Sequence, residues 1–212
     1  MTVPSVPFHS SPSLVLASGS PRRRELLTRA GVRFEVRPSG IDETRVPGEG
    51  PRPYAVRLAR EKALDVRRQL PASPRRLVLG ADTIVVLGDD VLGKPESPDH
   101  AVALLSRLVG RVHRVLTAVA IVTTGTHEAR DVCVESTVTM RAASLESIRA
   151  YVATGEPLDK AGAYAAQGEG RRFIERIDGS ETNVIGLPLE ETLALLHELE
   201  EAAGAAGAVY VS

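Results

Sequence analysis

The segment Ser18-Gly19-Ser20-Pro21-Arg22-Arg23-Arg24 combines the features of an anion site. An apolar run ends in a turn of small residues, and a helix starts with backbone N–H groups that have no helical partner. Three cations then stand at the wrong end of the helix dipole, each costing roughly 0.3–1 kcal/mol. A bound phosphate chain would turn that penalty into attraction. The plainer alternative is a solvated basic patch.

Asp82, inside LGADTIVVL at 79–87, is a second candidate. A carboxylate in an apolar strand is costly unless it is paired, hydrogen-bonded or on a metal. There it could bind a divalent cation or accept a proton from water. The alternative is a capping Asp in a tight turn at the strand's end. Lys62 falls four residues after Leu58, on the inward stripe of its helix. Such a lysine either snorkels to the edge, the favoured expectation from position alone, or meets an anion. Pro95 biases Lys94 to an extended backbone, from which it reaches a phosphate or simply solvent. Asp42 and Glu43 open a proline-rich stretch; they complete a metal site with Asp82 or are merely solvated. In Asp159–Gly168, small residues let a ligand approach the backbone, and the Gln167 amide can read a base edge. Otherwise this is a flexible loop. The histidines show no metal-ligand spacing, and no P-loop or G-x-G-x-x-G fingerprint occurs.

The elements that must position these groups follow from periodicity and punctuation. Strands are predicted over 14–17, 32–36, 77–87, 112–122, 127–141 and 173–177. Helices are predicted from Pro21 to Gly31, over 54–70, after Ser97-Pro98, over 145–153 and over 187–203. Ser20 is the expected N-cap of the first helix, with Pro21 at its first position. Gly88-Asp89-Asp90 reads as a hairpin turn, Thr124-Gly125 as another, and 162–170 as a glycine-rich loop. Strands and helices mix without strict alternation, which implies a mixed twisted sheet with flanking helices, an α/β fold.

The chain has 212 residues, 43% hydrophobic. That suffices for a single domain of two lobes over 14–203, between a disordered lead (1–13) and a loose tail (204–212). With 26 Lys plus Arg against 27 Asp plus Glu, no global field favours nucleic acid. No apolar run reaches about 18 residues, so no membrane span is expected. The start has no cationic-then-apolar pattern of a secretory signal. A single cysteine, Cys133, fits a reducing, cytoplasmic setting.

Together, LASGSPRRRELL at 16–27, GIDET at 40–44, RLAREKA at 57–63, LGADTIVVL at 79–87, GKPES at 93–97, GEPLDKAGAYAAQG at 155–168 and NVIGLPL at 183–189 resemble the Maf family of nucleotide pyrophosphatases. The resemblance spans nearly the whole chain apart from its ends. It implies a deep central cleft like that of the Maf and inosine-triphosphatase enzymes. It also implies metal-dependent cleavage of a nucleoside triphosphate between its α- and β-phosphates. By position, Asp82 would accept the proton of the attacking water, and Ser18, Ser20, Arg23, Lys62 and Lys94 would hold phosphates. Glu43 and Asp82 would place magnesium or manganese. Arg22, Thr83 and Gln167 match the family's dTTP/UTP branch rather than its 7-methyl-GTP branch. Ala165-Ala166, where bulkier residues are frequent, would widen the base pocket and blur selectivity, with modified pyrimidine nucleotides among the expected substrates and broad hydrolysis of modified nucleotides, 7-methyl-GTP included, as an alternative. The resemblance is compatible with a homodimer, and with the alternative of a nucleotide-binding regulator of cell division or septum formation.

Overall fold

The computed structural model describes residues 13–208, with side chains to residue 202; residues 1–12 and 209–212, part of the expected lead and tail, lie outside the described residues. The order is β1 (Leu14–Leu16), α1 (Pro21–Arg29), β2 (Phe34–Val36), α2 (Pro51–Arg68), β3 (Leu77–Leu87), β4 (Asp90–Leu92), α3 (Pro98–Leu108), β5 (Val112–Thr123), β6 (Ala129–Met140), α4 (Leu145–Ala153), β7 (Ile174–Asp178), α5 (Glu181–Ile185) and α6 (Leu189–Ala208). The strands form one seven-stranded sheet in the order β2-β1-β3-β5-β6-β7, with β4 beside β3. β2, β1 and β3 are parallel, and the remaining pairs are antiparallel. This is the mixed sheet with flanking helices expected from the sequence. No helix among the described residues is long and apolar enough to cross a membrane.

β3 reads as a continuous apolar run because it is buried on both faces. Successive side chains alternate between them. Leu77, Leu79, Ala81 and Val85 join the large core beneath α1, α3, α4 and α6. Val78, Ile84 and Val86 meet α2, whose stripe of Ala55, Ala59 and Ala63 lies on the opposite face. Gly80 makes that contact close: a Cβ there would lie 2.2 Å from the Ala59 carbonyl oxygen and 2.6 Å from the Ala63 nitrogen. A small helix stripe over a glycine brings α2 down onto the sheet.

β3 also divides its outer edge between two partners. β1 pairs with Leu77–Leu79 and β4 with Val85–Leu87, while β5 runs along the other edge from Leu77 to Val86. Residues 80–84 therefore have a strand neighbour on the β5 side only, among the described residues. The cleft opens in that gap.

Several boundaries differ from expectation. α2 starts at Pro51, not Tyr54, because both prolines of Pro51-Arg52-Pro53 sit in the first turn, where no N–H donor is needed. The 162–170 loop is instead a run of 3-10 turns, over Ala161–Ala163 and Gly168–Phe173. The expected last helix, 187–203, is α6, which begins at Leu189 and continues past 203 to Ala208. Short α5, ending at Ile185 with Gly186 as its cap, precedes it as a helix not expected from the sequence. The backbone of 204–208 is helical.

Candidate active site

Asp82 lies in the middle of β3, opposite Ala118 of β5, and not in a turn at the strand's end. Its side chain points to the α2 face and is 6% exposed. Lys62 of α2, 8% exposed, donates from Nζ to Asp82 Oδ1 at 2.7 Å. The same ammonium sits 2.8 Å from Glu43 Oε1. The expectation that Lys62 snorkels to solvent is therefore overturned. The close approach of α2 at Gly80 leaves its stem too deep, and two carboxylates meet its charge. Burial raises the Glu43 carboxyl pKa, but hydrogen bonding to Lys62 and the charges of Lys62, Lys94 and Arg23 outweigh it, and the net shift is downward.

Of the three arginines opening α1, only Arg23 is buried; Arg22 is half-buried and Arg24 exposed. Arg23 donates from Nε to the Gly186 carbonyl at 2.9 Å, from Nη1 to Ser18 Oγ at 3.0 Å and from Nη2 to Thr83 Oγ1 at 3.1 Å. All three acceptors are neutral oxygens, so the guanidinium is aimed without being neutralised. Burial lowers its pKa, Asp82 opposes that, and Arg22 adds to it. An entering anion relieves both costs. Ser18 Oγ also accepts from the Ser20 backbone N–H at 3.3 Å, which fixes the turn. Ser20 holds the N-cap position but makes no side-chain cap, leaving its hydroxyl for the cleft.

The cleft has a volume of about 840 Å³. Ser18, Ser20, Arg23, Lys62 and Lys94, the expected phosphate ligands, all line it, as do Asp82 and Glu43. So do Arg22, Thr83 and Gln167, the expected base-reading set. Lys94 is exposed at the mouth, just past β4. Arg22 Nη1 lies 3.6 Å from Asp159 Oδ2, linking α1 to the Asp159–Gly168 segment that carries Gln167. Sequence positions spread from Ser18 to Gln167 thus converge on one cavity.

Glu43 and Asp82 are the carboxylates of the cleft that meet Lys62; among the described residues no cluster of three or more His, Cys, Asp or Glu could hold a metal ion. That donor set fits magnesium or manganese shared with substrate phosphates, because Mg²⁺ commonly uses one or two carboxylates and completes its shell with phosphate and water. It does not fit a closed structural site such as zinc's.

Sequence reasoning gave Asn183 no role. Its side chain is fully buried, accepts from the Thr117 N–H at 3.0 Å, and donates to the Val115 carbonyl at 3.0 Å and to Ser136 Oγ at 2.9 Å. It thereby locks α5 onto β5 and β6 and fixes the Gly186 carbonyl that orients Arg23. A lone amide in the apolar stretch NVIGLPL was the available signal.

The family model described as Maf-like protein matches residues 13–199. A dTTP/UTP pyrophosphatase of Anaeromyxobacter dehalogenans is 51% identical over 188 residues, covering 88% of this chain and 93% of that protein. A dTTP/UTP pyrophosphatase of Escherichia coli K12 is 50% identical over 188 residues, covering 87% and 91%. A solved nucleoside-triphosphatase / dITP/XTP pyrophosphatase of Mycobacterium abscessus aligns over 89% of this chain and 97% of its own, at a TM-score of 0.38 and 16% identity, too distant to bear on the site. A cradle with an oriented, un-neutralised arginine, a buried Asp–Lys pair in a gap of the sheet, and a match over nearly the whole described chain agree: this protein belongs to the Maf-like family.

Proposed function

We propose that this chain hydrolyses dTTP and UTP, and related modified pyrimidine nucleotides, to the monophosphate and pyrophosphate. The observation that carries the reading is the Asp82–Lys62 pair, buried on the floor of a cleft whose wall is the Ser18–Arg23 cradle. Relatives about 50% identical over most of the chain carry the name dTTP/UTP pyrophosphatase, which supports the base preference.

The reaction follows from charge and position. A triphosphate brings about four negative charges, which Arg23, Lys94 and Lys62 oppose while Ser18 and Ser20 donate hydrogen bonds. Lys62 holds the Asp82 carboxylate in one orientation at 2.7 Å. Asp82 takes a proton from a water as the water oxygen bonds to the α-phosphorus. The bond from that phosphorus to the α–β bridging oxygen breaks, and its electron pair leaves with pyrophosphate. Magnesium or manganese, held by Asp82 and Glu43, would supply further neutralisation of phosphate charge. Arg22, Thr83 and Gln167 would face the nucleoside. A cytoplasmic setting is part of the same proposal, consistent with the free thiol of Cys133.

The test is an incubation with Mg²⁺ or Mn²⁺ and dTTP, UTP, CTP, ITP and 7-methyl-GTP, scoring pyrophosphate separately from orthophosphate. Pyrophosphate should come chiefly from dTTP and UTP. Asp82→Asn should lower kcat by on the order of 10³-fold or more, with a smaller change in KM. Unchanged turnover in Asp82→Asn rejects the mechanism. Pyrophosphate mainly from 7-methyl-GTP rejects the base assignment. Tight binding without turnover would mark a regulator.

A further inference from the structure

Gln167 is carried by a backbone segment pinned on both sides by one pair of side chains outside the cleft. Glu156 follows α4 after Gly155, in a 3-10 turn over Glu156–Asp159. Its Oε2 accepts from the Glu169 N–H at 3.0 Å, and its Oε1 from the Gly170 N–H at 3.0 Å. Oε1 also accepts from the Tyr151 hydroxyl at 2.9 Å, and that hydroxyl in turn accepts from the Ala165 N–H at 3.1 Å. Backbone on the N-terminal side of Gln167 is therefore held through Tyr151, and backbone on the C-terminal side is held directly. Neither Glu156 nor Tyr151 lines the cleft, whereas Ala165, Ala166 and Gln167 do.

The glycines of the segment are shaped to this clamp. Gly168 has φ +67, and a Cβ there would lie 2.6 Å from Glu156 Oε2; at Gly170 it would lie 2.5 Å from the Tyr151 hydroxyl. Only glycine lets the chain close on the two oxygens. The fully buried Tyr151 ring packs 5.3 Å from Phe173, so the hydroxyl has little room to move. Burial, and then the bond to Glu156, raise the tyrosine pKa and keep the phenol a donor.

We propose that Glu156, acting through Tyr151 and the 165–170 backbone, is a positioning residue that sets the Gln167 amide for discriminating uracil-type from cytosine-type bases. The inference rests on the reading that Gln167 faces the nucleobase. Uracil and cytosine differ in the donor and acceptor pattern at N3 and C4. An amide reads that difference only if its own oxygen and nitrogen are held in one orientation. A side chain on a loose segment would bind either base alike.

Binding of the uncleavable α,β-methylene analogues of UTP and CTP to the full chain, with inorganic tripolyphosphate as a phosphate-only probe, tests this without turnover. The variants are Gln167→Ala, Glu156→Gln, Tyr151→Phe, and Glu156→Gln combined with Gln167→Ala. Gln167→Ala should cut the ratio of UTP-analogue to CTP-analogue affinity about tenfold. Glu156→Gln and Tyr151→Phe should each cut it by several-fold to about tenfold, with tripolyphosphate affinity unchanged. In the Gln167→Ala background, Glu156→Gln should change the ratio no further. If Gln167→Ala lowers the ratio and the other two single variants do not, the positioning role is wrong and the base reading stands. If wild type binds both analogues equally, or Gln167→Ala leaves the ratio intact, the base reading itself falls, and the positioning role with it. Should Glu156→Gln fail to fold, Tyr151→Phe, which removes one hydroxyl, still decides the matter.

Discussion

Lys62 is the side chain on which the candidate chemistry turns. Its ammonium lies 2.7 Å from Asp82 and 2.8 Å from Glu43. Lys62→Met would leave two carboxylates facing one buried point. Removing one partner of a fully buried ion pair costs about 3–5 kcal/mol. Here the Glu43 side chain is 47% exposed and can turn to water, but Asp82 is left buried without its partner, so the loss should be about 3 kcal/mol, the lower end of that range. The effect on turnover should be larger, on the order of 10²-fold in kcat/KM. Combined with Asp82→Asn, the lysine change should add little, because the pair acts as a unit. Fully additive losses in a double-mutant cycle would show that Lys62 acts elsewhere. At this scale the sequence was informative about residue type and poor about environment. Asp82 in an apolar run announced its cost directly. Lys62 was ambiguous, since helical periodicity places it inward but says nothing of how closely the neighbouring strand approaches. Asn183 was passed over because a single amide carries no spacing.

That approach is set by an element contact, α2 on β3, and Gly80 is its controlling position. A methyl group 2.2 Å from the Ala59 carbonyl cannot be accommodated by a side-chain rotation, because the obstacle is backbone. Gly80→Ala should destabilise the fold by about 3 kcal/mol, the upper end of the overpacking range, and displace α2 outward. Since Lys62 immediately precedes Ala63 on that helix, the same change should depress kcat at temperatures where the protein is still folded. Thermal melts alongside turnover at 25 °C would check both; an active, undiminished variant would show that α2 does not set the Lys62–Asp82 distance. Most elements could be read from the chain because their signals are local: Ser97 does cap α3 through the His100 N–H, and the Leu77–Leu87 run is β3. Those that could not be read depend on tertiary partners. The 161–173 region has the composition of a loop; the Glu156 carboxylate binds the start of its 168–173 turn, and the Gly93 carbonyl accepts from Gly162 in its 161–163 turn. α5 has only five residues, too short for periodicity, and is held by Asn183.

Across the whole molecule, one buried base joins the central sheet to the wall of the cleft. His113 of β5 is 2% exposed, and its Nε2 lies 2.7 Å from the Tyr164 hydroxyl, with the rings edge to face at 5.4 Å. Its Nδ1 is buried without a hydrogen-bond partner among the described residues. Burial lowers its pKa from 6.5 to about 4. A histidine whose folded pKa is depressed is neutral in the native state, while the unfolded chain takes up a proton below pH 6.5. Stability therefore falls as pH drops from 6.5 towards 4 and levels off below that, a total of about 3 kcal/mol. The Glu156 carboxyl behaves differently: its burial is outweighed by bonds from Gly170, Glu169 and Tyr151, and its pKa lies below the usual 4.5. Its contribution is present above that value and is lost only as pH falls further. The two windows are separable. Unfolding free energy measured by urea titration from pH 7.5 to 4 should decline more steeply in wild type than in His113→Gln, the gap closing by about 3 kcal/mol at pH 4. Parallel curves would mean that His113 is protonated in the folded protein, with the second ring nitrogen finding an acceptor. The link between sheet and cleft wall would then be a charged one, and nucleotide affinity should change through the same pH range.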